Sequence, residues 1–355
     1  MAHCSRRNEK SRPRLLPGNI TLQNPFSRAF FLILKTNRYP MPLKTPDFWN
    51  KKSVVSYLLI PVSWLYRLGS RISRAFKRPY KASIPVLCIG GVVAGGSGKT
   101  PTVHAVVDLI RENGTYQNPV ILTRGYGGIL KGPTLVDPDI HDYSDVGDEA
   151  LLHAAHAPTI VSADRAAGVR LAELSGADII IMDDGLQNRT LAKTWAYLVI
   201  DAKQGIGNGH ILPAGPLRES LRSALSRCVG VIYTNGTAAH HGDKPCFPTR
   251  LTVTSVPDGT RDYFAFTGLG YPEKFRTTLQ ENGMRLSGFQ AFPDHHPYTA
   301  EDIEDVLRQA DGAQLITTEK DFVRIPPQFR HRVEVLPVVL TFDDADAFLQ
   351  SWKTA

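Results

Sequence analysis

Ala94-Gly95-Gly96-Ser97-Gly98-Lys99-Thr100 follows an apolar run, IPVLCIGGV at 84–92, and leads into a helical pattern over 99–112. Glycines at 95, 96 and 98 let backbone N–H groups curl around phosphate oxygens. The start of the helix adds the positive end of its dipole. Lys99 has the reach for β- and γ-phosphates, and the Thr100 hydroxyl suits Mg2+. Pro101 falls in the first helical turn, where proline is tolerated. The strict phosphate-loop pattern wants glycine at the position of Val93, so the loop Val93–Thr100 is a variant. Its place between strand and helix carries the assignment as much as its glycines do.

Working outward, the runs PVILT (119–123), ADIIIMD (177–183), AYLVID (196–201) and VGVIYT (229–234) alternate with helical stretches at 147–157 and 164–175. Continuously apolar strands between helices imply a parallel sheet covered on both faces. Past the polar loop HHGDKP, the segments FAFTGLG (264–270), 272–282, 300–310, QLITTEKD (314–321) and VEVLPVVL (333–340) predict a second α/β unit. The expected architecture is α/β: a P-loop NTPase-like parallel-sheet core over 83–240 and a smaller C-terminal α/β domain over 241–355.

The net charge of +7 is unevenly spread. Residues 1–40 carry +7 and residues 41–81 carry +8, whereas the rest of the chain carries −8. An acidic body argues against nucleic acid as the partner. A basic N-terminus beside apolar sequence fits an anionic membrane surface. Residues 1–40 read as a disordered extension, and 41–82 as a membrane-associated segment. Within the latter, Ser56, Ser63, Arg67, Ser70 and Arg74 form one polar stripe at helical spacing. Val54, Leu58, Leu65, Ile72 and Phe76 lie opposite, widened by Tyr57, Leu59, Val62, Trp64 and Tyr66. Arg71, Arg74, Lys77, Arg78 and Lys81 gather at the far end. Aromatic residues with flanking cations suit a helix lying in a membrane interface. Pro61 should interrupt it. No apolar run reaches the roughly 20 residues of a spanning helix. The four cysteines show no paired spacing, so neither a disulfide framework nor a zinc site is expected.

A phosphate loop used for transfer needs an acid at a neighbouring strand tip. Ile179-Ile180-Ile181-Met182-Asp183-Asp184 supplies two. Asp145, Asp148 and Glu149 mark a helix start. Leu212-Pro213-Ala214-Gly215-Pro216-Leu217-Arg218-Glu219 reads as a rigid turn ending in a charged pair. Phe292-Pro293-Asp294-His295-His296 sets two histidines beside an aspartate that can orient one of them. His153 and His156 read as a helix face.

Together these segments resemble the tetraacyldisaccharide 4′-kinase family of lipid A synthesis. The resemblance runs from about Pro46 to the C-terminus, in order through LLIPVSWLYRL, VVAGGSGKTP, TRGYGG, VGDEALL, ADR, MDDGLQNR, GNGHILPAGPLRE, FTGLGYPEKF, FPDHHPY and TTEKD. It implies ATP-dependent phosphorylation of the 4′-hydroxyl of a lipid-A disaccharide 1-phosphate, at the cytoplasmic face of the inner membrane. It implies that Val93, Ala94, Gly95, Gly96, Ser97, Gly98, Lys99 and Thr100 hold ATP. Thr100, Asp183 and Asp184 would hold Mg2+. Asp148, partnered by His295 and Asp294, would orient and deprotonate the hydroxyl, with Tyr126, Arg218 and Glu219 in the same cleft. Asn188 stands where the family usually has histidine. A membrane-bound switch ATPase of the Mrp/MinD type is the competing reading, but Ala94 replaces its signature lysine.

Overall fold

The computed structural model describes residues 46–75, 78–256, 258 and 260–352, with side chains left out for 68–75. The extension over 1–40 and the side chains of Ser70, Arg71, Ile72, Arg74, Phe76 and Lys77 lie outside the described residues.

The large sheet has nine strands in the order β13-β8-β7-β6-β1-β5-β2-β4-β3. They are β1 (Val86–Gly90), β2 (Pro119–Thr123), β3 (Thr134–Leu135), β4 (Thr159–Val161), β5 (Ile179–Asp183), β6 (Trp195–Asp201), β7 (Gly230–Thr234), β8 (Cys246–Val253) and β13 (Val338–Phe342). From β4 to β8 every neighbouring pair is parallel, and only β3 and β13 at the edges run antiparallel. The apolar strands are continuous because both faces are buried. Leu87, Ile89, Ile179 and Ile181 pack with Val103, Val106 and Ile110 of the helix Lys99–Asn113. Val86, Cys88, Ile180 and Met182 pack on the opposite face with Val169 and Ala172 of the helix Arg165–Leu174. The chain leaves β1 toward one side of the sheet and returns to β6 on the other. The tip of β1 is therefore a topological switch point, where ligands of such sheets bind.

The small sheet is all parallel, in the order β10-β9-β11-β12, from β9 (Asp262–Thr267), β10 (Arg285–Ala291), β11 (Gln314–Thr318) and β12 (Val333–Leu336). The helix Ala300–Ala310 covers one face through Ile303 and Val306, and Pro272–Glu281 covers the other through Phe275 and Leu279.

The boundary at 241 needs correction. β8, β13 and the terminal helix Ala345–Gln350 belong to the large sheet, where Phe348 and Trp352 are buried against Tyr197 and Phe247. The single strand expected over 333–340 is two strands in different sheets, separated by Pro337. Proline has no N–H to continue a ladder.

The amphipathic stretch is broken where Pro61 predicts, into the helices Val54–Leu58 and Ile60–Ala75. Its orientation is the reverse of a core-packing helix. Ser56 and Ser63 are buried, while Val54, Leu58, Trp64 and Leu65 are each more than 60% exposed. The Ser63 hydroxyl donates to the Ile211 carbonyl at 2.7 Å, and the Asn208 amide donates to Ser56 Oγ at 3.1 Å and the Phe48 carbonyl at 3.0 Å. Trp49 Nε1 donates to the Pro213 carbonyl at 3.0 Å. A polar edge thus faces the protein and the apolar face looks outward. Among the described residues no helix is long and apolar enough to cross a membrane.

Candidate active site

The phosphate loop leaves β1 and enters its helix at Lys99. Gly98 caps that helix with φ of 79°, a conformation glycine adopts without steric cost. A Cβ there would also press on Thr234 of β7. The loop is held from the side by the turn 212–219. The Ala94 amide donates to the Pro216 carbonyl at 2.8 Å, and the Arg218 amide to the Val92 carbonyl at 2.7 Å. The other end of the same turn reaches Ser63 of the N-terminal helices at Ile211 and Ala214, and Trp49 just before them at Pro213.

Two carboxylates emerge beside the loop, as β5 predicts, and they differ. Asp184 sits at φ 46° and is partly exposed. Arg218 donates to its Oδ2 at 2.6 Å, and Lys99 Nζ stands 3.8 Å from the same oxygen. Asp183 is buried, with Oδ2 in a 3.1 Å hydrogen bond to His153 Nε2 and Oδ1 lacking a partner. Burial opposes its ionisation. The His153 hydrogen bond and the charges of His153, Lys99 and Arg165 outweigh burial and hold the carboxyl below its ordinary range. Glu219 sits behind Gly91, receiving Gln187 at 3.2 Å and Arg227 at 2.6 Å. Gln187 also donates to the Gly91 carbonyl at 2.9 Å, bracing the start of the loop.

A second cluster joins the two sheets. Asp148 opens the helix Asp148–His156 and is buried. Its Oδ2 lies 2.8 Å from His295 Nδ1 and 3.7 Å from Arg324 Nε. Burial pushes this carboxyl up. The His295 hydrogen bond and the charges of Lys320 and Arg324 pull it further down, well below the usual carboxylate range. The expected pairing of Asp148 with His295 is present. Asp294 is not the group that orients the ring, because it lies 3.9 Å from Nε2, beyond hydrogen-bond length. Lys320 takes that place, 3.1 Å from Nε2 and 3.2 Å from Glu149 Oε1. Burial opposes the Lys320 charge, but Glu149, Asp148 and Asp294 raise its affinity for the proton. An ammonium has only donors, so Nε2 accepts and Nδ1–H faces Asp148. Tyr126 is exposed, its ring 6.0 Å from that of His295.

The two clusters are neighbours because one helix serves both. Asp148 lies in its first turn and His153 five residues on, about 7.5 Å along the axis. Gly147 precedes it at φ 92°, where any side chain would collide with the Tyr126 carbonyl. The sequence reading missed Lys320, Arg324 and Gln187, and it read His153 only as part of a helix face. His153 is fully buried against Asp183. Asn188 is a turn residue, its Oδ1 accepting from the Thr190 and Leu191 amides at 3.0 and 3.2 Å.

No three His, Cys, Asp or Glu side chains cluster as a metal cage among the described residues. Mg2+ usually takes one or two protein ligands and completes its shell with water and phosphate. The bare, buried Oδ1 of Asp183 fits such a role.

The family model described as tetraacyldisaccharide-1-P 4′-kinase matches residues 55–354. A tetraacyldisaccharide 4′-kinase of Paramagnetospirillum magneticum is 43% identical over 314 residues, covering 85% of this chain and 95% of that protein. One from Methylobacterium is 44% identical over 324 residues, covering 86% and 96%. The crystal structure of LpxK from Aquifex aeolicus in complex with ATP superposes with a TM-score of 0.71 at 26% identity, covering 85% of this chain and 99% of that one. From its phosphate loop to its terminal helix, the chain belongs to the tetraacyldisaccharide-1-phosphate 4′-kinase family.

Proposed function

We propose that this kinase transfers the γ-phosphoryl group of ATP to the 4′-hydroxyl of a tetraacylated disaccharide 1-phosphate at the cytoplasmic face of the inner membrane. The observation that carries the reading is the shared helix. It sets the buried Asp148, paired with half-buried His295, about a turn and a half from His153, which binds Asp183 beside the phosphate loop.

The loop Val93–Thr100 would cradle the phosphates, with Lys99 on the β- and γ-oxygens. Thr100 and Asp183 would hold Mg2+, with Asp184 reaching it directly or through water. Bound there, the ion would offset charge on the transferring group. The acceptor oxygen forms a bond to the γ-phosphorus as the bond to the β-bridging oxygen breaks, releasing ADP. The hydroxyl proton leaves late in such a transfer, and Asp148 accepts it. A carboxylate held so acidic is a weak base, so its main contribution is alignment of the hydroxyl. Lys320 fixes the His295 ring, and His295 in turn fixes Asp148. Arg218 and Tyr126 line the approach.

Membrane residence is supported by the outward apolar face of Val54, Leu58, Trp64 and Leu65, whose polar edge is already occupied by the protein. The test is mass spectrometry of the disaccharide lipid after incubation with the protein, ATP and Mg2+. Gain of one phosphate on the lipid is expected. ATP consumption that leaves the lipid unphosphorylated would overturn the reading.

A further inference from the structure

Asp183 is backed by a chain of imidazoles, buried at His153 and reaching the surface at His156, that the transfer reaction itself does not use. His153 Nε2 meets Asp183 Oδ2 at 3.1 Å, and its Nδ1 meets His104 Nε2 at 3.1 Å. The His104 ring stacks on His156 at 4.3 Å between centroids, and His156 Nε2 binds Asp108 at 2.9 Å. Asp108 and His104 lie on the phosphate-loop helix, Lys99–Asn113, and His153 and His156 on the helix that Asp148 opens. The chain therefore ties the helix behind the loop to the helix bearing Asp148, and ends on the strand-tip carboxylate.

We infer that His153 is a positioning residue that holds one oxygen of Asp183 and leaves the other, Oδ1, aimed at a divalent cation. An ionised carboxylate only accepts, so the hydrogen between the two groups sits on Nε2 of His153. With Oδ2 engaged, the carboxylate cannot swing about its χ2 bond. Among the described residues Oδ1 has no hydrogen-bond partner. Groups behind a metal ligand orient it in this way, and losing one typically costs 10–100-fold in metal affinity. Burial pushes His104 down to about 2, so the ring behind His153 is neutral and adds no charge to the site.

The inference rests on reading Asp183 as part of the metal site, and the experiment separates the two. Mn2+ binding to the ATP-loaded protein is measured by electron paramagnetic resonance in wild type, His153→Leu and His153→Gln. Glutamine places an N–H donor near the position of Nε2, and leucine offers none. His153→Leu should weaken Mn2+ binding by about 10–100-fold, and His153→Gln should recover most of the loss. A folded His153→Leu protein that binds Mn2+ as wild type does would overturn the inference while leaving the metal site standing. Wild-type protein that binds no Mn2+ beyond that held by free ATP would overturn both. Nitrogen-15 NMR of the metal-free wild type gives a check that needs no variant. Nε2 of His153 should carry hydrogen, and a bare Nε2 would refute the assignment.

Discussion

Lys99 makes only loose polar contacts, 3.5 Å to Ser97 Oγ and 3.8 Å to Asp184, and its nitrogen is not part of either hydrophobic core. Its removal should therefore be felt by the reaction and little by the fold. Lys99→Ala is expected to lower turnover by about 10³-fold or more, with an unchanged far-ultraviolet circular dichroism spectrum. Asp148 differs, because it compensates Lys320 and Arg324 as well as His295. Asp148→Asn should cost about 2 kcal/mol of stability at neutral pH by removing the charged acceptor of His295 and one of the anions that balance Lys320 and Arg324, which keep Glu149 and Asp321. Since the folded carboxyl is more acidic than the unfolded one, that contribution is complete above the unfolded value of about 3.9 and fades as pH falls toward the folded value. Chemical unfolding should show a constant gap between variant and wild type from pH 8 to about 4.5, narrowing below. In kinetics, Asp148→Asn and His295→Ala should each lower kcat by about 10²-fold or more, and the double variant should be little worse than the worse single one. Multiplication of the two losses would show that the residues act separately.

At the scale of elements, the strands that were legible are those whose apolar run is unbroken. β1, β2, β5, β6 and β7 are buried on both faces, and their sequences say so. β8 and β10 escaped because they alternate or sit at an edge, with Pro248 in one and Gly288 in the other. β4 is only three residues long. The candidate site followed the same division. Asp183 and Asp184 stood out as charges ending an apolar strand. Lys320 comes two residues after the end of β11, in the short helix Glu319–Phe322 of Thr317-Thr318-Glu319-Lys320-Asp321, so a comparable signal was present. His153 gave none: its burial depends on how two helices and β5 meet, which spacing along one helix does not disclose. The N-terminal helices were legible in their stripes, and the structure adds which stripe faces out. Deleting them would strip Asn208 of its acceptor at Ser56 and the Ala214 amide of its acceptor at Ser63. Charging the outer face is the cleaner perturbation. Leu58→Glu, Trp64→Glu and Leu65→Glu together should abolish flotation with anionic vesicles while leaving the melting temperature within about 2 °C, as expected of exposed positions.

At the scale of the molecule, the turn over 207–219 joins the outward-facing helices to the phosphate loop. Asn208, Ile211 and Ala214 hold Ser56 and Ser63, while Pro216 and Arg218 hold Ala94, Val92 and Asp184. Because the polar edge of the helix is fixed to the body, the helix has one roll angle and the body has one way to lie on a bilayer. An enzyme so placed meets an acylated substrate by lateral diffusion, and the concentration it senses is a surface density. With total substrate held constant, diluting it with inert phospholipid should therefore slow turnover, in proportion to the fall in its mole fraction once below saturation. A rate that follows bulk substrate concentration alone would mean that the lipid reaches the cleft from solution.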